Sequence, residues 1–127
     1  MVIIVSDTPK YLIPSNALLI KEEIKAVAVN IVYDNNANCI GMISAIDHVS
    51  RYLKAKTRLL NALVVGSFYS QVIANQECLL SYPTFGDGSC AILLQKLEED
   101  TERGVIDTVY ETVSQHKEQK NQIIPVY

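Results

Sequence analysis

Apolar and polar positions divide this chain into short segments that follow two different periods. Met1-Val-Ile-Ile-Val5 is a continuous β-branched run with no turn in front of it, the pattern of a central strand buried on both faces. Asp7-Thr-Pro9 breaks the run. Beyond Pro14, Ser15 is placed to cap a helix built from Ala17, Leu18, Leu19, Lys21, Glu22, Glu23 and Ile24, ending near Lys25. Ala26-Val-Ala-Val-Asn-Ile-Val-Tyr33 returns to β-branched residues and predicts a second strand from about Val27 to Tyr33. After an Asn-rich loop, Met42, Ile43, Ala45, Ile46, Val49, Tyr52 and Leu53 recur at spacings of three and four. That spacing predicts a helix from about Cys39 to Lys56, with Asp47, Ser50, Arg51 and Lys54 mostly on its polar face.

Asn61-Ala-Leu-Val-Val-Gly66 predicts a third strand, stopped by its glycine. Phe68 to Tyr82 has no clean period and reads as a short helical piece mixed with loop. Phe85-Gly-Asp-Gly88 reads as a tight turn whose glycines supply backbone freedom or close approach, opening a fourth strand from Ser89 to Leu97. Glu98 to Gly104 is a charged turn, and Val105 to Val113 alternates as a half-exposed strand. From Ser114 to Gln122 the chain is polar, and Ile123 to Tyr127 is again apolar. Strand, helix, strand, helix, strand predicts an α/β fold with a parallel sheet layered by helices.

Composition narrows what such a sheet could do. A length of 127 residues implies a single domain, residues 1–127, and 49% hydrophobic content is ample for a core. A net charge of -3 with scattered charges gives no basic surface, so nucleic acid is not an expected partner. The three cysteines, Cys39, Cys78 and Cys90, include no CxxC pair and no histidine at ligand spacing, which argues against a disulfide framework and a metal site. A reducing cytoplasm fits that usage. No apolar run approaches the ~18 residues of a membrane span, and we expect no signal, anchor or membrane partner.

Candidate chemistry concentrates at Cys39. Its position, where the second strand gives way to the long helix, exposes the thiol to unpaired N–H groups and to the positive end of the helix dipole, both of which favour thiolate. Two readings stand at this point, a nucleophile and an inert structural cysteine. A base is hard to find. His48 lies nine positions on, roughly 13 Å along the helix axis, and His116 sits in a polar surface segment. Cys78 and Cys90 read as structural. Gly86-Asp87-Gly88 precedes a strand and lacks a P-loop lysine, so it reads as a turn and not as a phosphate cradle.

Four short motifs, in register, carry a resemblance: Pro14-Ser-Asn-Ala17, Asp34-Asn-Asn-Ala-Asn-Cys39-Ile-Gly-Met42, Ala62-Leu-Val-Val-Gly-Ser67 and Phe85-Gly-Asp-Gly88. In order and spacing they resemble the middle of the 3-oxoacyl-acyl-carrier-protein synthase III enzymes, over essentially the whole chain but only an internal portion of such an enzyme. The resemblance implies a partial thiolase-like half, in which Cys39 matches the cysteine acylated by acyl-CoA at the start of a buried helix. The acyl group is then condensed with malonyl-carrier protein after decarboxylation. Phe85 matches an aromatic of the acyl pocket, and Met42 stands where a phenylalanine is common. The implied partners are acyl-CoA, an acyl-carrier protein and a second copy of the chain, with no cofactor. The strand matching Ala26 to Tyr33 implies pairing with its copy across a dimer axis.

The chain also departs from the family pattern. Neither His48 nor His116 matches the family's decarboxylating histidine, and the asparagine beside it is also unmatched. Gln76-Glu-Cys-Leu-Leu80 lacks the Asp-Arg-Gly triplet of enzymes that start from acetyl-CoA. The reading is therefore a family fragment not competent for condensation alone. Its rivals are a non-catalytic dimerisation or carrier-protein-binding module of the same fold and, with no resolving cysteine near Cys39 in sequence, a thiol-reactive redox domain.

Overall fold

Strand β1 (Val2–Val5) is hydrogen-bonded on both sides and buried on both faces, which explains its unbroken apolar sequence. The computed structural model describes residues 1–74, 79, 82–98 and 103–113. Around β1, the strands β2 (Val32–Asn35), β3 (Asn61–Phe68) and β4 (Gly88–Gln95) form one sheet in the order β2-β1-β3-β4. Both neighbours of β1 run parallel to it, whereas β4 is antiparallel to β3, so the sheet is mixed.

The chain moves one way from β1 to β2 and the opposite way from β2 across β1 to β3. Right-handed crossovers in opposite directions must lie on opposite faces. Helix α1 (Asn16–Glu23) accordingly covers one face, where Ala17 packs with Val2 and Ile4. Helix α2 (Gly41–Ala55) covers the other, where Ala45, Val49 and Leu53 pack with Ile3, Val5, Ala62 and Val64. Away from that contact Ile43 and His48 of α2 are exposed, while Asp47 is buried under residues 108–110.

Several sequence expectations shift. The second strand does not begin at Val27, because α1 ends in a left-handed Lys25 (φ 54°) that closes a helix-terminating motif: the Ala26 N–H reaches the Lys21 carbonyl at 3.0 Å and the Lys25 N–H reaches that of Glu22 at 3.0 Å. A further turn, from the Val29 N–H to the Ala26 carbonyl, occupies the residues expected as strand, and pairing starts only at Val32. The third strand runs through Gly66 to Phe68. Gly86 and Gly88 need no special conformation, since a Cβ at either would meet nothing within 4 Å. The alternating Val105–Val113 forms no strand; with no strand beside it among the described residues, it is tied to α2 by Lys54 Nζ on the Val105 carbonyl (3.0 Å) and by Thr108 Oγ1 on Asp47 (2.7 Å). The Phe68–Tyr82 segment carries a 3-10 turn at Ser70–Val72 and ends beside another at Tyr82–Thr84.

Candidate active site

The carboxyl ends of the three parallel strands lie at one edge of the sheet, and with helices departing to opposite faces this is where α/β sheets bind ligands. Cys39 stands at that edge. It is the middle residue of a 3-10 turn (Asn38–Ile40) that runs directly into α2, and it is an exposed free thiol. Ile40, which caps α2, makes no side-chain capping bond, and the first turn contains no acidic residue. The Gly41 N–H is taken by the Asn38 carbonyl of the preceding turn, and the positive end of the helix dipole lies behind Cys39.

The loop that presents Cys39 is held by its own polar residues. Asp34, at the end of β2, accepts hydrogen bonds from the Asn16 N–H (2.7 Å), the Ala17 N–H (2.8 Å) and Asn16 Nδ2 (2.9 Å), so one carboxylate satisfies the start of α1 and fixes β2 against it. Ser15 caps the same helix, its hydroxyl accepting from the Leu18 N–H. Asn35 Nδ2 donates to Ser44 Oγ (3.3 Å), and Ser44 Oγ donates to the Gly41 carbonyl (2.9 Å), tying β2 to the first turn of α2. Asn36 Oδ1 accepts from the Asn38 N–H, and Asn38 takes the left-handed conformation (φ 49°) that asparagine tolerates well. Gly41 is buried directly against Val5, and a Cβ there would overlap the valine side chain. A glycine is therefore what lets the start of α2 lie on β1.

On the far side of β1 the same sheet edge carries a shallow hollow of about 390 Å³, lined by Thr8, Ser67, Phe68, Tyr69, Asp87, Gly88 and Ser89. Its rim is cross-tied. Thr8 Oγ1 accepts from the Tyr69 N–H (2.8 Å), and Asp87 accepts from Ser70 Oγ (2.6 Å) and the Ser70 N–H (2.7 Å). Those Ser70 bonds, side chain first, hold the Asp87 carboxyl below its ordinary range. Phe85 meets Phe68 with ring centroids 5.8 Å apart and stays partly exposed. Asp87, which in the sequence reads only as part of a turn, is thus the residue that anchors the Phe85 turn to the end of β3.

Of the other candidate residues, Met42 is half-buried on α2, packed against the core beside β3. Cys90, expected to be a structural cysteine inside an apolar strand, lies in β4 but is exposed, because β4 is an edge strand of the sheet among the described residues. Cys78 and His116 lie outside the described residues. Asp34, Asn35 and Asp87 have no local sequence signal for these roles, since their partners are in other elements. Among the described residues no group of three or more His, Cys, Asp or Glu side chains could hold a metal ion, and no helix is long and apolar enough to cross a membrane.

A family model described as 3-oxoacyl-[acyl-carrier-protein (ACP)] synthase III matches residues 33–114. The beta-ketoacyl-[acyl-carrier-protein] synthase III of Clostridium kluyveri is 30% identical over 101 residues, covering 80% of this chain and 31% of that protein. That of Clostridium perfringens is 33% identical over 100 residues, 79% of this chain and 30% of its own length. Among solved structures, the 3-oxoacyl-[acyl-carrier-protein] synthase III of Aquifex aeolicus superposes with a TM-score of 0.72 at 30% identity over 77% of this chain and 31% of that one. The Pseudomonas aeruginosa structure of the same description gives 0.72 at 21% identity, a likeness of fold. The chain spans about a third of the length of the curated relatives it matches. Its mixed α/β sheet is part of a thiolase-like half.

Proposed function

We propose an acyl-transfer role for Cys39, on the premise that this chain belongs to the 3-oxoacyl-[acyl-carrier-protein] synthase III family. The observation that carries the reading is the exposed Cys39 thiol in the turn that opens α2, at the positive end of that helix's dipole. The Cys39 thiolate attacks the carbonyl carbon of an acyl-CoA thioester, and the negative charge that develops on the carbonyl oxygen is stabilised by the Cys39 backbone N–H and the positive end of the helix dipole. Collapse of the tetrahedral intermediate breaks the bond to the coenzyme A sulfur, which leaves as a thiolate and takes up a proton. The acyl group stays on Cys39 as a new thioester. Phe85 and Met42 contribute to the acyl-binding surface.

In the family, condensation with malonyl-carrier protein follows decarboxylation. We assign neither step to a residue of this chain: His48 sits on the exposed flank of α2, nine positions beyond Cys39. Residues 1–127 act on this reading as one partial domain. Acyl transfer is tested by incubating the chain with short acyl-CoAs and mapping the mass gained. Acylation of Cys39 that is lost in Cys39→Ser supports the reading, and an unmodified Cys39 peptide overturns it.

A second reading, a dimerisation or carrier-protein-binding module, draws on a different observation. At the sheet edge β4 exposes Leu93 (67%) and Ile92 (39%), and among the described residues β2 has a neighbour on one side only. Apolar surface of this kind is normally covered by a partner. Sedimentation at micromolar concentration checks self-association, for which a monomer alone is the opposing result. Binding of an acyl-carrier protein that survives Cys39→Ser would favour the module over the enzyme.

A further inference from the structure

Two sulfur atoms converge where α2, β3 and β4 meet, and a third stands one turn away. A Cβ built at Gly66 would lie 2.8 Å from Met42 Sδ and 3.2 Å from Cys90 Sγ, so the two sulfurs are no farther apart than those distances laid end to end. They come from different elements. Met42 belongs to the first turn of α2, and Cys90 is the residue of β4 directly across the ladder from Gly66. Cys39 precedes Met42 by three positions, in the 3-10 turn continuous with α2. Residues at that spacing share one side of the turn, with Cβ atoms about 5–6 Å apart. Cys39 and Cys90 are both free, exposed thiols, so solutes have a path to them.

We propose that Met42 Sδ and Cys90 Sγ, with Cys39 Sγ as a third donor, bind a soft monovalent cation, Cu(I). Thiolates joined by a thioether suit Cu(I), and the set offers neither the imidazole nor the carboxylate that complete many zinc sites. An ion held about 2.3 Å from each sulfur, the usual metal–thiolate length, needs Met42 and Cys90 sulfurs within about 4.6 Å of each other. The rotatable bonds of methionine let its sulfur adjust to that span. Each thiol releases its proton to water as it binds. Gly66 is what permits the arrangement, because any side chain there would fill the point at which the two sulfurs approach. Cys39 and Cys90 form no CxxC pair, so the donor set emerges only when β4 is laid beside β3. The site stands whether or not Cys39 accepts an acyl group.

The test titrates the 127-residue chain with Cu(I) under anaerobic, reducing conditions against the chelator bathocuproine disulfonate, and reads the copper that the protein withholds. Cys78→Ser is present in every sample, which leaves Cys39 and Cys90 as the thiols. This parent chain is expected to hold a single equivalent. Met42→Leu or Cys90→Ser is expected to weaken binding about tenfold or more, since the loss of even an outer partner costs a metal site that much. Both substitutions nearly conserve volume, which keeps the fold intact. Bound Cu(I) is also expected to slow alkylation of Cys39 by N-ethylmaleimide, and to do so less in Cys90→Ser. A parent chain that yields its copper as readily as Cys90→Ser overturns the proposal. So does binding lost in Cys39→Ser alone, the mark of capture by a single thiol. Zn(II) held as firmly as Cu(I) would mean that the thioether takes no part, and would overturn it equally.

Discussion

β1 and β4 are both apolar strands of the same sheet, yet their surroundings are opposite. All four residues of β1 are buried, with Ile3 fully enclosed; along β4 only Leu94 is even half-buried. Composition does not separate them, since Val-Ile-Ile-Val and Ala-Ile-Leu-Leu are equally apolar. Position does. β1 has a strand on each side and a helix over each face, while β4 sits at the edge beyond the reach of α1. The hydrophobic contribution of a side chain is set by the neighbours that remove it from water, and here they surround β1 alone.

The sharpest way to break this comparison is to truncate one residue from each strand. Ile3→Ala removes most of a fully buried side chain from the layer between β1 and α2 and is expected to cost about 2–5 kcal/mol in urea unfolding. Leu93→Ala, on the exposed edge, is expected to stay within about 0.5 kcal/mol. Equal losses at the two positions would mean that β4 is covered in solution.

Next in size is the contact between β1 and the turn that presents Cys39. Gly41→Ala forces a methyl group into Val5 at a point where strand and helix backbones both resist movement, so about 1–3 kcal/mol of stability should be lost. Val5→Ala in the same background makes room for the methyl group and is expected to recover part of that loss, which separates overlap from any intrinsic effect of alanine. Asp34→Ala comes third. It deprives two backbone N–H groups at the start of α1 of their acceptor, and about 1 kcal/mol is expected from the shift of the urea midpoint. No change would mean that Ser15 caps α1 sufficiently by itself.

The same contrast explains what is legible in the sequence. Continuous apolar runs and a three-and-four spacing are local signals, and they locate β1, α2 and the Cys39 junction between β2 and α2. Whatever depends on a distant neighbour is not visible. Lys25 takes a conformation more usual for glycine, and so Ala26 to Ile31 turns where its β-branched residues suggest a strand. Val105 to Val113 alternates like a strand but has none beside it among the described residues, and its bonds go to α2. At the site, the polar stretch from Asp34 reads as loop, but the sequence does not assign its individual bonds, because Asn35 answers to Ser44 and Asp34 to Asn16 and Ala17. Cys90 is a strand residue, as its apolar neighbours indicate, but it is not enclosed, since exposure belongs to the edge position and not to the residue.

The smallest expected effect lies on the outer face of α2, where a buried carboxylate has partners that are themselves mostly in water. Asp47 is held by Arg51 Nε at 3.0 Å from each of its oxygens, by Thr108 Oγ1 at 2.7 Å and by the Tyr110 hydroxyl at 3.3 Å. The Arg51 bond first, then that of Thr108, keeps its carboxyl below the ordinary range. A depressed value in the folded state means that the ionised form is favoured by folding. This contribution is complete above the unfolded carboxyl's pKa of about 3.9 and disappears as pH falls through the lower folded value. The Arg51 side chain is 61% exposed, so the pair is screened and its share of stability is modest. The stability gap between wild type and Asp47→Asn is therefore expected to hold steady from neutral pH down to about pH 5 and to narrow below it. A gap that persists unchanged into strong acid would assign the tie between α2 and residues 105–110 to packing, and would remove the carboxylate from any part in it.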